Sequence, residues 1–203
     1  MIDYTRLLSS LSGMAPTEAV AHCDRELPRL WMAEYRSWVN RSNIHQMTIG
    51  SHSFLFDFTS EFSDGGDDVQ EDRVVAAYGC STPPVERRDA SRMKGYLGPT
   101  GKIYGAGYDK GHFIAHSMGG DDLDSINWFP QERCLNQGKS EEGRLYRSLE
   151  AYCSKTPGTF FFSRPIYQGT TVKPALIEVG LLREGMLEIY QFDNRGGGGT
   201  SGA

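Results

Sequence analysis

Zinc-knuckle spacing is missing from this sequence. Its four cysteines, Cys23, Cys80, Cys134 and Cys153, form no CxxC pair and no finger-like pattern, which favours separate reduced thiols over a metal knuckle and gives no support for disulfides. No apolar run approaches the roughly 20 residues that span a bilayer, which excludes a transmembrane helix on sequence grounds. The opening MIDYTRLLSSLSGMAPTEAV has neither a basic leader nor an uninterrupted apolar core, so no secretory signal is expected. Internal repeats are absent as well. A basic excess is lacking too: 21 Lys and Arg face 26 Asp and Glu in 203 residues, for a net charge of -5.

That balance argues at first against a nucleic-acid partner, because phosphate binding is dominated by lysine and arginine. The distribution of the charges points the other way. Asp57 to Asp72 holds 7 acids and no bases, and removing those 7 from the 26 leaves 19 acids against 21 bases. From Arg87 to Lys110 there are 6 bases and 2 acids, which predicts a positive approach surface just before His112.

The length suits one domain with a sizeable core. Residues 1–45 read as a helical segment packed on that core, with Leu27, Trp31, Tyr35 and Trp38 on one face. Residues 46–194 read as the main domain and 195–203 as a flexible glycine-rich tail. Within the main domain, MTIGSHSFLFDF predicts a strand pair turning at Gly50 and Ser51, and RVVAAYGC a buried strand. GTFFFSRPIY, KPALIEVGLL and GMLEIYQFDN predict a three-strand meander. His45 and His52 read as surface or satisfied histidines, and 60–72 as a solvated acidic loop or a docking site for a basic protein such as an inhibitor. The fold class expected is α+β, with a central, mostly antiparallel sheet and helices.

The stretch from Tyr108 to Glu150, YDKGHFIAHSMGGDDLDSINWFPQERCLNQGKSEEGRLYRSLE, carries the chemistry. It sets His112 in a glycine-flanked turn, Asn127 and Asn136 around a Phe-Pro-Gln corner, and Glu150 on a helix. An imidazole accepts a proton near neutral pH, and amide and carboxylate oxygens suit a hard divalent cation. Together they can make a metal-assisted hydrolase.

The order DKGH, NWFPQERCLNQG and YRSLE resembles the DNA/RNA non-specific endonuclease family of ββα-metal, or His-Me finger, nucleases. The wording of GHFIAHSMGG and NWFPQ is most similar to nuclease domains of bacterial toxins and effectors. The resemblance implies an embedded ββα-metal finger and Mg2+-dependent cleavage of DNA, RNA or both, with Mn2+ as a substitute. It implies His112 as general base and Asn136 as the metal ligand, with Glu150 supporting the metal site from outside. Asn127, Arg88 and Arg92 complete the catalytic set, Asn127 as a brace and the arginines against phosphate charge. Lys110 and Gly111 meet substrate, and Asp109 locks the loop through backbone hydrogen bonds.

Two departures from the family pattern stand out. Lys110 replaces an arginine and so loses its planar fork, and KSEEGR lengthens the gap before YRSLE, making Glu141 and Glu142 rivals of Glu150. A toxin setting further implies an immunity protein as partner, and residence in the cytoplasm of the producer with export by a signal-independent route. Two other readings stand beside this one. One is a catalytically silent member that binds nucleic acid or a partner; the other is a zinc hydrolase centred on His112 and His116.

Overall fold

The computed structural model describes residues 2–39, 41–59, 70–84, 97–121 and 124–196. Two helices come first, α1 (Thr5–Leu11) and α2 (Pro16–Trp38). Proline opens α2 at a position whose N–H has no intrahelical acceptor, and the Glu18 carboxylate accepts from the Ala15 N–H at 3.3 Å. Leu27, Trp31 and Tyr35 form the predicted buried stripe. Trp38 does not join it: as the last residue of α2, where the chain leaves for the first strand, it is 73% exposed.

Among the described residues the remaining elements are β1 (Ile44–Ile49), β2 (His52–Asp57), β3 (Arg73–Cys80), α3 (Thr100–Ile103), β4 (Tyr108–His112), β5 (Trp128–Glu132), α4 (Arg133–Asn136), α5 (Glu141–Lys155), β6 (Phe160–Ile166), β7 (Leu176–Arg183) and β8 (Met186–Asp193). Six strands form one sheet in the order β1-β2-β3-β6-β7-β8, with every neighbouring pair antiparallel. The β4–β5 pair stands apart as a second, two-stranded sheet. The fold is α+β with a central antiparallel sheet. No helix among the described residues is long and apolar enough to cross a membrane.

Both faces of the large sheet are covered. Phe160 and Phe162 of β6 point into the core shared with α1 and α2, while Phe161 between them packs with Phe113, Phe129, Tyr146 and Leu149 from the β4–β5 and α5 layer. Side chains alternate along a strand, so three consecutive phenylalanines serve two cores. Each such burial contributes on the order of 2 kcal/mol. A sheet buried on both sides accounts for the apolar runs of β3 and β6, where simple alternation would put polar residues outward.

Charges inside these layers are paired. Arg164 of β6 donates to Glu178 of β7 at 2.8 Å and to Glu34 of α2, while Glu178 also accepts from Gln191 at 3.1 Å and from the Tyr4 hydroxyl. Trp31 donates to Tyr4 at 3.1 Å, so one polar cluster ties both N-terminal helices to the meander. A second cluster flanks the expected acidic loop. Residues 60–69 lie outside the described residues, but Asp57 is buried at the end of β2 and accepts from Tyr35, Gln70 and the Asn43 N–H at 2.8, 2.9 and 2.6 Å. Arg73 donates to Tyr35 at 2.9 Å and lies 4.1 Å over the Tyr167 ring. Asp57 and Arg73 are therefore structural residues flanking that segment. Of the glycine-rich tail, residues 197–203 also lie outside the described residues.

His52 is 2% exposed, and burial pushes its imidazole down to about 4 despite a hydrogen bond with the Cys80 backbone. An unfolded histidine titrates near 6.5, so below that pH the unfolded chain takes up a proton that the folded chain refuses. The stability present above about pH 6.5 is then lost as pH falls toward about 4, by on the order of 3 kcal/mol. Denaturant unfolding at about pH 7.5 and about pH 4.5 should show this loss in wild type and a clearly smaller one in His52→Gln. Equal losses in the two proteins would place the proton uptake elsewhere.

Candidate active site

The hairpin registers Tyr108 against Glu132 through to His112 against Trp128. DKGH is therefore an extended strand, not the tight turn expected from its glycine, and His112 is the last residue of β4. Its ring sits 3.7 Å, centroid to centroid, from that of Trp128 at 43°. A Cβ at Gly111 would lie 2.3 Å from Gln131 Oε1 and 2.6 Å from Gln131 Cβ, so the missing side chain makes room for Gln131.

The segment after His112 is held by Asn127, which is wholly buried. Its Oδ1 accepts the Ile114 N–H at 2.9 Å, and its Nδ2 donates to the Ile114 and Asp121 carbonyls at 2.9 Å each. The Asn127 carbonyl accepts the Phe113 N–H at 2.9 Å. Asn127 thus braces the chain next to His112 from beneath and does not line the cleft described below. Asn194 does the same for the other strand: its side chain accepts the Glu132 N–H at 2.7 Å and donates to the Pro130 and Pro174 carbonyls at 2.9 and 2.8 Å. Nothing in the sequence singled out Asn194, since an asparagine at a strand end looks like a turn former.

A short α4 follows β5 directly, started by Glu132, whose carboxylate accepts the Leu135 N–H at 2.7 Å. Asp109 anchors it from β4, accepting from Arg133 at 3.0 Å and Gln137 at 2.6 Å. The loop-locking expectation is corrected in its partners, which are side chains of the next element and not backbone N–H groups. Ser140 then caps α5 through the Gly143 N–H at 2.9 Å. At Gly143 a Cβ would come 2.3 Å from the Cys134 carbonyl, so glycine permits the close seating of α5 on α4. KSEEGR is therefore a capping turn and helix start, which accounts for its length.

Lys110 and His112 of β4, His116, Gln131 of β5, Asn136 and Gln137 at α4, and Arg147 and Glu150 of α5 line one cleft of about 320 Å3. Glu150 is its one carboxylate among the described residues, while Glu141 and Glu142 are exposed in the first turn of α5 and absent from the lining. Arg147 donates to Glu150 at 2.6 Å. Behind them Tyr146 is buried, and burial together with the Glu150 charge raises its hydroxyl far above the usual phenol range, keeping it neutral. Burial also lowers the Lys110 ammonium. His112 and His116 sit on a strand end and a 3-10 turn, not on one helical face. No group of three or more His, Cys, Asp or Glu able to hold a metal occurs among the described residues. Arg88 and Arg92 lie outside the described residues. The four cysteines are free thiols, and burial pushes Cys23 and Cys153 up to about 12, consistent with packing residues.

Arg147, Gln131 and Gln137 also line the cleft; they lie inside the YRSLE and NWFPQERCLNQG segments, but the resemblance assigns them no role. The i, i+3 spacing of Arg147 and Glu150 on a helix was the available signal for the first.

No family model matches the chain, and no curated protein does. Solved structures similar to it include Sda1 nuclease with bound zinc ion, at 16% identity and a TM-score of 0.39, covering 75% of this chain and 74% of that one. An extracellular endonuclease is similar at 14% identity and a TM-score of 0.38, covering 77% and 80% respectively.

Because Asn127 satisfies three backbone groups, two of them buried, Asn127→Ala should cost about 3 kcal/mol in urea unfolding. A loss under about 1 kcal/mol would deny it the bracing role.

Proposed function

We propose that this chain is a metal-dependent, sequence-non-specific endonuclease that hydrolyses phosphodiester bonds of DNA, RNA or both. The observation that carries this reading is the convergence of His112, Asn136 and Glu150, from three separate elements, on one polar cleft that also holds Lys110. The strand-strand-helix order of β4, β5 and α5 supports assigning a ββα-metal finger to this segment. Motif order in the sequence and the lining of the cleft by His112, Asn136 and Glu150 both support the reading.

Oxygen donors in the cleft fit a hard divalent cation. Asn136 offers an amide oxygen and Glu150 a carboxylate, a sparse set suited to an ion such as Mg2+ that keeps much of its hydration. Asn136 would hold the ion and Glu150 would support it, and Mn2+ would substitute. Bound there, the cation supplies positive charge toward a phosphate oxygen and the leaving group.

The chain's own residues do the rest. His112 as a neutral imidazole takes a proton from water as the water oxygen bonds to phosphorus. The bond from phosphorus to the 3'-oxygen breaks, leaving a 5'-phosphate and a 3'-oxygen that takes a proton from solvent. Trp128 fixes the imidazole plane by ring contact, and Asn127 fixes the backbone beyond it. Lys110 faces the phosphate as a point charge. Arg88 and Arg92 belong to the same proposal as anion-stabilising residues of the preceding basic segment. Backbone phosphates are the recognised feature, and no helix is assigned to base reading. A bacterial toxin or effector setting, with an immunity protein as partner, fits the motif wording and completes the reading.

Incubation of the purified protein with plasmid DNA and with RNA, at graded Mg2+ and with chelator, tests the activity. Turnover should require the ion, should fall by about 10^3-fold or more in His112→Ala, and should need higher Mg2+ in Asn136→Ala. Persistence of both substrates with every divalent ion tried would point instead to a catalytically silent binding module. Stoichiometric zinc in the purified protein would favour a zinc hydrolase.

A further inference from the structure

The cleft contains one guanidinium among the described residues, and the proposed hydrolysis does not yet use it. Arg147 sits one helical turn before Glu150 and donates through Nη1 to Glu150 Oε2 at 2.6 Å. Its side chain is 57% exposed while that of Glu150 is 9% exposed, so the pair has a buried acidic end and an open basic end. Among the described residues Glu150 is the one hydrogen-bond partner of Arg147. Its stem is seated on Gly138, where a Cβ would come 3.3 Å from Arg147 Cγ. The stem thus passes beside the chain that follows Asn136, and Arg147 lines the same cleft as His112 and Lys110.

A guanidinium has five N–H donors in a rigid plane, and a carboxylate on one edge leaves the other edge able to grip a phosphate with two parallel hydrogen bonds. Lys110, the other permanent cation lining the cleft, offers only a point charge with no fixed plane. We propose that Arg147 is a catalytic residue that binds the scissile phosphate directly, held in position by Glu150. Glu150 then has two duties, supporting the cation site and orienting the phosphate-binding arginine. This inference rests on the endonuclease reading of the cleft and gives Arg147 a substrate contact that the family resemblance does not assign to it.

The experiment pairs turnover with equilibrium binding. In steady-state cleavage of a duplex oligonucleotide, Arg147→Ala should lose about 100-fold in kcat/KM and Arg147→Lys should recover only part of it, because the planar fork is missing. Added guanidinium ion should restore part of the activity of Arg147→Ala and none of the activity of His112→Ala. Binding of a fluorescent duplex is then measured across salt concentrations with His112→Ala and with the His112→Ala, Arg147→Ala double variant. Loss of one phosphate contact should lower the slope of log affinity against log salt by about 0.9.

Turnover of Arg147→Ala within about threefold of wild type overturns the proposal. So does a loss of activity that guanidinium does not rescue and that comes with an unchanged salt slope, since Arg147 would then act only through Glu150. If wild type cleaves nothing while the slopes differ, the hydrolytic reading fails and the phosphate contact stands. If neither variant binds duplex at any salt concentration, both fail.

Discussion

Covering the six-stranded sheet on both faces is the constraint from which the rest of the structure follows. Two helices lie on one side and the β4–β5 hairpin with α5 lies on the other, so β3, β6 and β7 have no wet face. Apolar side chains in both directions satisfy that demand, as the three phenylalanines of β6 do. Any charge entering the sheet must bring partners with it, because an unpaired buried ion is far more costly than a lost contact. Arg164 and Glu178 meet the condition across neighbouring strands, with Glu34, Tyr4 and Gln191 closing the cluster. The cluster also makes the seating of the N-terminal helices specific, since α2 carries Glu34 and Trp31 to it.

On the opposite face, a two-stranded hairpin would be marginal by itself. Here it is held by amides at both strands. Asn127 takes the chain just beyond His112, and Asn194 takes the backbone of β5 from the far end of the meander. These asparagines replace the neighbouring strands that a larger sheet would have provided. The outcome is an irregular backbone just beyond His112 that keeps its hydrogen bonds without regular structure. Asp109 extends the arrangement to α4 and so to Asn136.

The cleft resolves the tension between an acidic chain and the polyanionic substrate proposed for it. Net charge counts all 26 acidic residues, but a phosphate in the cleft would meet Lys110, Arg147 and two histidines against one carboxylate, itself paired with arginine. Field at a concave site depends on the nearest charges, and more distant ones are screened within about 10 Å at moderate salt. Acidic residues in other segments can therefore dominate the sum without repelling the substrate.

Local periodicity and turn chemistry were legible in the sequence. The Gly50–Ser51 hairpin, the β6–β7–β8 meander, the Leu27, Trp31 and Tyr35 stripe, and the set of His112, Asn136 and Glu150 all follow from spacings within a few residues or from motif order. Tertiary packing decided what spacing does not encode. It put Glu150, and not Glu141 or Glu142, in the cleft, because KSEEGR caps and begins α5 instead of looping away. It filled the space over Gly111 with Gln131, left Trp38 exposed at a helix end, drew Asp57 into a buried cluster, and recruited Asn194 from 62 residues beyond Glu132. Each of these outcomes is a meeting between elements distant in the chain, and such meetings depend on how layers stack. The repeat of a helix or strand describes only its own face.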